Sequence, residues 1–257
     1  MSSTPADSSG QPSARDATHW ALPVSRLKVS DVPAGATNLN VEGRQVVSPL
    51  QGFGALWQKT FRVRLTGLHR SPAEVMHVWK ENFPKFQPPE NHFYPSLAGI
   101  RPGEVVLISG RVPPAPGLPP ILPLASGVMI LYADDESFTV MTPQGFPEAG
   151  WNTFSVYEED GWPVAQVQSM CRANDPIYEI WFRFLGSSEQ QDKTWTHVLT
   201  SLAAHYGIQG QVQTHKVCLD PRLQWSQAGA IWYNAGMRTV FYLLAAPLRA
   251  GGRLFKR

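Results

Sequence analysis

"GWPVAQVQSMCRANDPIYEIWFRF", residues 161–184, changes period halfway along its length. From Val164 to Ala173 a set of small side chains (Ala165, Val167, Ser169, Cys171, Ala173) alternates with a longer, more polar set (Gln166, Gln168, Met170, Arg172). A two-residue period sends successive side chains to opposite faces of a strand, so one face is cut low enough for a helix or a ligand to come close. Beyond Asp175-Pro176 the apolar residues Ile177, Ile180, Trp181, Phe184 and Leu185 recur at helical spacing, and Trp195, Val198, Leu199, Leu202 and Tyr206 continue the rhythm. That is the stripe of an amphipathic helix. The stretch predicts a strand running into one long helix or two collinear ones, with Gly186-Ser187-Ser188 at the junction and Gly207 at the C-terminal cap.

Upstream, Phe61, Val63 and Leu65 alternate with Arg62 and Arg64, predicting a strand over 60–65. "SPAEVMHVWKENF" combines an N-cap Ser71, a first-turn Pro72 and Glu74 three residues after the cap, the signature of a capping box. The helix that follows buries Val75, Val78 and Trp79 and stops near Phe83-Pro84. "GEVVLISGRV" and the segments 127–132, 138–142 and 153–157 read as further strands, joined by polar turns at "ADDES", 145–150 and "EEDG". Short strands separated by such turns predict an antiparallel meander. "QVQTHKVCLD" adds a short strand and residues 228–248 a last helix. Residues 1–24, rich in Ser, Pro and Ala, are expected to be a disordered tail, and 25–57 an irregular lead-in with turn signals at Pro33-Ala34-Gly35 and Pro49. The six prolines between 113 and 123 read as a stiff connector.

A chain of 257 residues with 43% hydrophobic side chains can bury a substantial core. Its two cysteines, Cys171 and Cys218, make no disulfide framework and fit a reducing cytoplasm, and the N-terminus lacks the basic start and apolar run of a secretory signal. Charge is partitioned: the net balance is 0 over 1–57, −4 over 58–207 and +6 over 208–257. The last fifty residues are therefore built for a different environment from the rest.

No phosphate-binding loop, dinucleotide fingerprint, zinc-protease motif or nucleophile elbow is present. The histidine pairs His69/His77 and His197/His205 are eight residues apart, too distant to share a metal, so no metal or other cofactor is expected. Asp134-Asp135-Glu136 and Glu158-Glu159-Asp160 fall at hairpin turns, where solvated acids are ordinary. Cys171, without a neighbouring histidine, reads as a small buried residue. Arg172, Asp175 and Glu179 read as a salt-bridged group around the helix start, or as a polar anchor for a ligand head group.

Residues 231–248 are largely apolar, but Arg238 lies mid-span, and such an arginine costs about 2.5–3.5 kcal/mol on insertion scales. An interfacial helix fits better: Trp232, Phe241 and Leu244 would enter an anionic membrane surface while Arg249 and Arg253 meet its head groups. The alternatives are that this helix packs across the domain or mediates a homodimer. The positive charge is terminal and not interleaved along a face, so nucleic acid is not expected as a partner.

The order strand, short helix, antiparallel strands, long helix resembles the SRPBCC, or START-like, superfamily over residues 58–207. "TPQGFPEAGWNTFSVYEEDGWPVAQVQSMCRANDP" is similar to the strand pair of bacterial families of that superfamily, through Pro147, Gly150, Phe154, Val156, Val167, Arg172 and Pro176. The resemblance implies an α+β helix-grip fold, a curved antiparallel sheet wrapped around a long helix, here with a basic extension over 208–257. It also implies either an apolar cavity between sheet and helix or tight packing of the same small residues. Trp151, Met170, Arg172, Trp181, Leu185, Trp195 and Leu199 are the residues expected to contact a ligand in such a cavity. The leading expectation is a non-catalytic binder of a hydrophobic small molecule or lipid, working in the cytoplasm and at the membrane periphery. A polyketide cyclase or dehydratase-like enzyme and a ligand-free interaction protein dimerising through the last helix are the alternatives.

Overall fold

The computed structural model describes residues 17–112, 118, 121–184 and 187–246, with only the backbone at 187–188. Its strands are β1 (Leu56–Arg64), β2 (His92–Tyr94), β3 (Val105–Val112), β4 (Leu122–Ala133), β5 (Ser137–Met141), β6 (Glu148–Glu159), β7 (Trp162–Ala173) and β8 (Gln213–Asp220). The helices are α1 (Pro72–Asn82), α2 (Pro176–Phe184), α3 (Ser187–His205) and α4 (Ala235–Leu244). All strand pairs are antiparallel, in the order β2-β3-β4-β5-β6-β7-β1-β8. The meander therefore runs from β2 to β7 before β1 returns beside β7.

One face of this curved sheet closes on α1 and α3. Phe61, Val63, Val128, Ile130, Phe138, Phe154, Ala165 and Val167 from five strands share a single buried cluster with Trp79 of α1 and Val198, Leu199, Leu202 and Ala203 of α3. This is the helix-grip arrangement. In the register of β1 with β7, Phe61 stands opposite Val167 and Val63 opposite Ala165, and α3 packs onto both strands. The small side chains of β7 let the helix backbone come close, so the β1–β7 part of this face is filled by packing.

Local chemistry sets the element ends. Ser71 Oγ accepts from Glu74 N and the Glu74 carboxylate accepts from Ser71 N at 2.8 Å, closing the expected capping box. Met76, rather than Val78, joins Val75 and Trp79 on the buried side of α1. Asp175 Oδ1 accepts from Ile177 N at 2.8 Å and Tyr178 N at 3.0 Å and so caps α2. Gly150 has φ +151°, and a Cβ there would lie 2.1 Å from the Met170 carbonyl oxygen. Only glycine lets β6 pass so near β7, which extends β6 upstream to Glu148 where the sequence suggests a turn.

Two regions depart from expectation. Residues 17–24, placed in the disordered tail, lie against β4: Trp20 bridges Tyr132 and Ala21 N donates to Leu131 O at 2.8 Å. Residues 1–16 are outside the described residues, as is nearly all of the proline-rich connector. The last helix is not continuous over 228–248. Residues 225–233 form 3-10 turns, and Asn234 then caps α4 by accepting from Met237 N at 2.9 Å. α4 lies on the outer face of β4, pinned where Asn40 Nδ2 donates to Ala125 O at 2.8 Å and to Thr239 Oγ1 at 3.1 Å. A second small core, Leu27, Val41, Val105, Leu107 and Met129, covers the same outer face with the lead-in.

Candidate functional site

α3 meets β1 and β7 along its length, from Gln191 and Asp192 to Leu202 and Ala203, and beside its N-terminal half a gap opens over β3–β6. This gap is a cavity of about 170 Å³. Its walls come from Ile108 of β3, Val128 of β4, Phe138 of β5, Phe154 of β6, Phe83 after α1, and Trp181 and Phe182 of α2. Phe138 and Phe154 stack at 4.5 Å and Phe83 meets both edge-on, so the aromatic wall is rigid.

One side of the cavity is polar. Inward positions of β6 carry Glu148 and Asn152, and α3 presents Gln191 and, one turn on, Trp195. Ser169 Oγ donates to Asn152 Oδ1. Trp195 is 8% exposed and its Nε1–H has no acceptor in the protein. Glu148 is buried, and burial pushes its carboxyl above the ordinary range against the pull of Lys59; Cys171 and Gln191 lie within hydrogen-bonding reach.

Glu148, Phe182 and Gln191 also line a second pocket of about 340 Å³, bounded by Trp57, Lys59, Cys171, Arg172, Arg183 and Cys218. Lys59 Nζ donates to Gln191 Oε1 at 2.7 Å and pairs with Asp192 at 2.9 Å, and Lys216 reaches the same carboxylate. Burial holds the Cys171 thiol well above its usual range, with Glu148 adding to the shift, so it is a protonated packing residue and not a nucleophile. A third groove of about 180 Å³ runs between α2 and α4, and Trp181 and Val112 belong to both groove and cavity.

The structure separates the residues singled out from the sequence. Trp181 and Trp195 line the cavity. Leu199, one turn beyond Trp195, is fully buried in the packed core and does not reach it. Trp151 and Met170 pair across β6 and β7, on the face opposite Asn152 and Ser169, and so point away from the cavity. The period of two decides this: once the small set of β7 faces α3, Met170 belongs outside. Leu185 lies outside the described residues.

Arg172 corrects another expectation. It does not bridge Asp175 or Glu179; its guanidinium, 2% exposed, pairs with Asp220 at 2.7 Å and donates to Gly54 O and Arg222 O at 2.8 and 3.1 Å. Glu179 pairs with Arg183, and Asp175 accepts from Asn234 Nδ2 at 2.8 Å. Arg172 thus ties β7 to β8 and the lead-in, a structural post whose removal would cost about 3 kcal/mol.

Glu148, Asn152 and the three phenylalanines escaped sequence reading. Extending the alternation of β6 upstream of Thr153 through Gly150 would have placed Glu148 and Asn152 on the side of Phe154. Trp232, Phe241 and Leu244 are exposed, and Arg249 and Arg253 are outside the described residues. Among the described residues no three His, Cys, Asp or Glu side chains converge as a metal site, and no helix is long and apolar enough to cross a membrane.

No family model and no curated protein matches the sequence. Solved structures similar to this chain include protein Ms6760 from Mycobacterium smegmatis, with a TM-score of 0.39 and 14% identity over 58% of this chain and 90% of that one. The major latex-like protein 151 from Panax ginseng is similar with a TM-score of 0.38 and 13% identity, over 60% and 99% of the two chains. The di-domain ARO/CYC StfQ from the steffimycin biosynthetic pathway is similar with a TM-score of 0.37 and 8% identity, over 60% and 53%. These are likenesses of shape. The strand order and the gripped α3 define a helix-grip fold.

Proposed function

We propose that the protein binds a hydrophobic small molecule in the cavity between β3–β6 and α2–α3, without transforming it. The cavity itself supports the reading. Its aromatic walls form a void that forfeits van der Waals contacts when empty, and a guest restores them. A dry cavity of roughly 150 Å³ holds a benzene ring, so about 170 Å³ suits a compact ring-sized guest. A longer lipid chain would leave past Trp181 into the α2–α4 groove.

The enzyme reading, a cyclase or dehydratase acting on a polyketide-type substrate, is favoured by one observation: an ionisable group, Glu148, faces the cavity. Native mass spectrometry of the purified protein, followed by extraction of what denaturation releases, tests both. A stoichiometric apolar adduct that is recovered unchanged after incubation supports binding. Conversion of the extracted molecule supports the enzyme, and a clean apo mass as a dimer sinks both in favour of an interaction protein.

The surface beside the groove supports a place of work. Ile180 and Phe184 of α2 and Met237, Phe241 and Leu244 of α4 are exposed side by side with the groove that leads to the cavity. The sequence that follows carries Arg249, Arg253, Lys256 and Arg257. Apolar side chains beside a cationic segment suit an anionic lipid surface.

A further inference from the structure

Most of the cavity wall is apolar, yet Glu148, Asn152, Gln191 and Trp195 are among the side chains that bring polar groups to it, and the Trp195 N–H lacks a partner. Asn152, 5% exposed, accepts the Ser169 hydroxyl on its Oδ1, so what its amide has left to offer is the Nδ2 donor. The Trp195 indole N–H is buried without a partner. A buried donor left unpaired costs about 1–3 kcal/mol, so a native site that keeps one has a use for it.

The neighbouring groups make this a side of donors. Gln191 Oε1 is taken by Lys59 Nζ and its Nε2 donates to Cys171 Sγ at 3.8 Å, which leaves one Nε2 hydrogen as what that amide can offer. Glu148 sits between Gln191 and Cys171 with its carboxyl pKa raised by burial, and when protonated it donates one O–H. Gln191 and Trp195 stand one turn apart on α3, and Glu148 and Asn152 stand on the same face of β6. The two pairs face each other across one end of the cavity.

We propose that the cavity selects a compact, ring-bearing molecule with an acceptor oxygen, a ketone or similar carbonyl, which Trp195 Nε1–H and the Glu148–Asn152–Gln191 group bind while the ring lies against Phe83, Phe138 and Phe154. The inference rests on the cavity-binding reading above and adds the chemistry of the guest. A hydrocarbon of the same shape fills the same space but leaves the donors unpaired. A molecule with only donor groups meets donors.

Acetophenone and α-methylstyrene test this, because they differ by the exchange of C=O for C=CH2 at nearly constant shape. Their dissociation constants are measured by competition in titration calorimetry. A wholly apolar pocket prefers the hydrocarbon by tenfold or more, since the ketone gives up its hydration for nothing. Donors that receive the oxygen close that gap: a hydrocarbon preference below tenfold, or a ketone preference, supports the inference. In Glu148→Leu and in Trp195→Phe the ketone is expected to weaken roughly tenfold with the hydrocarbon little changed. A hydrocarbon preference of tenfold or more in the wild-type protein overturns the inference and leaves the cavity reading standing. Failure of both molecules to bind overturns both.

Discussion

Glu148 is the residue at which burial and chemistry meet. Its carboxyl faces Lys59 of β1, Cys171 of β7, and Gln191 and Asp192 of α3, and desolvation outweighs the attraction of Lys59, so its pKa in the fold is raised above the ordinary 4.5. The sign follows from linkage. A carboxyl whose folded value is raised binds more protons when folded, so its contribution is full below about 4.5 and is lost as pH climbs through the raised value. Stability should therefore decline with pH across that window, and Glu148→Gln, which keeps size and a donor, should flatten the decline. Urea unfolding from pH 4.5 to 8 reads the difference, and parallel curves for the two proteins would refute it. Arg172 teaches the opposite lesson. Strand alternation turns it away from the cavity, and with its carbonyl and Asp220 partners it acts as a structural tie.

At the scale of elements, β7 and α3 explain why one helix both seals and opens the core. Over β1 and β7 the small residues let Leu199, Leu202 and Ala203 close on the sheet. Over β3–β6 the inward side chains are the aliphatic Ile108, Val128 and Ile130 and the aromatic Phe138 and Phe154, and the cavity lies between them and the helix. Ala165 is fully buried beneath α3, so Ala165→Leu should overpack and destabilise by about 1–3 kcal/mol in chemical unfolding. Unchanged stability would mean that space lies above β7 after all. The capping box of α1 and the strand–helix sequence of β7 and α2 were legible because local contacts make them. The upstream half of β6 was not, because Gly150 reads as a turn residue until the proximity of the Met170 carbonyl is known. β2 was missed because three residues carry too little pattern, and only pairing with β3 makes them a strand.

For the whole molecule, α2 and α4 line the groove and carry exposed apolar side chains, and the sequence after α4 is the part of the chain richest in positive charge. Ile180→Asp combined with Phe241→Asp should leave stability within about 0.5 kcal/mol for each exposed site. The same pair should lower sedimentation with vesicles containing phosphatidylserine by several-fold. Equal sedimentation of variant and wild type would remove this face from any membrane role. Salt should weaken the interaction in parallel, as it does for basic segments on anionic surfaces.

The sequence by itself determined the alternating strands, the small-faced β7, the capped α1 and the charge of the C-terminal segment, because period, capping and composition are properties of neighbours along the chain, while the helix-grip class came as what its resemblance implied. Tertiary structure decided where the space lies. The cavity arises from the lateral distance between α3 and the aromatic half of the sheet. Its polar side joins β6 to α3 across dozens of residues, and α4 is seated by Asp175 and Tyr178 some sixty residues away and by Asn40 almost two hundred residues away. Such separations leave no periodic trace. They depend on which side chains hold two elements apart, and that depends on the whole sheet being in place.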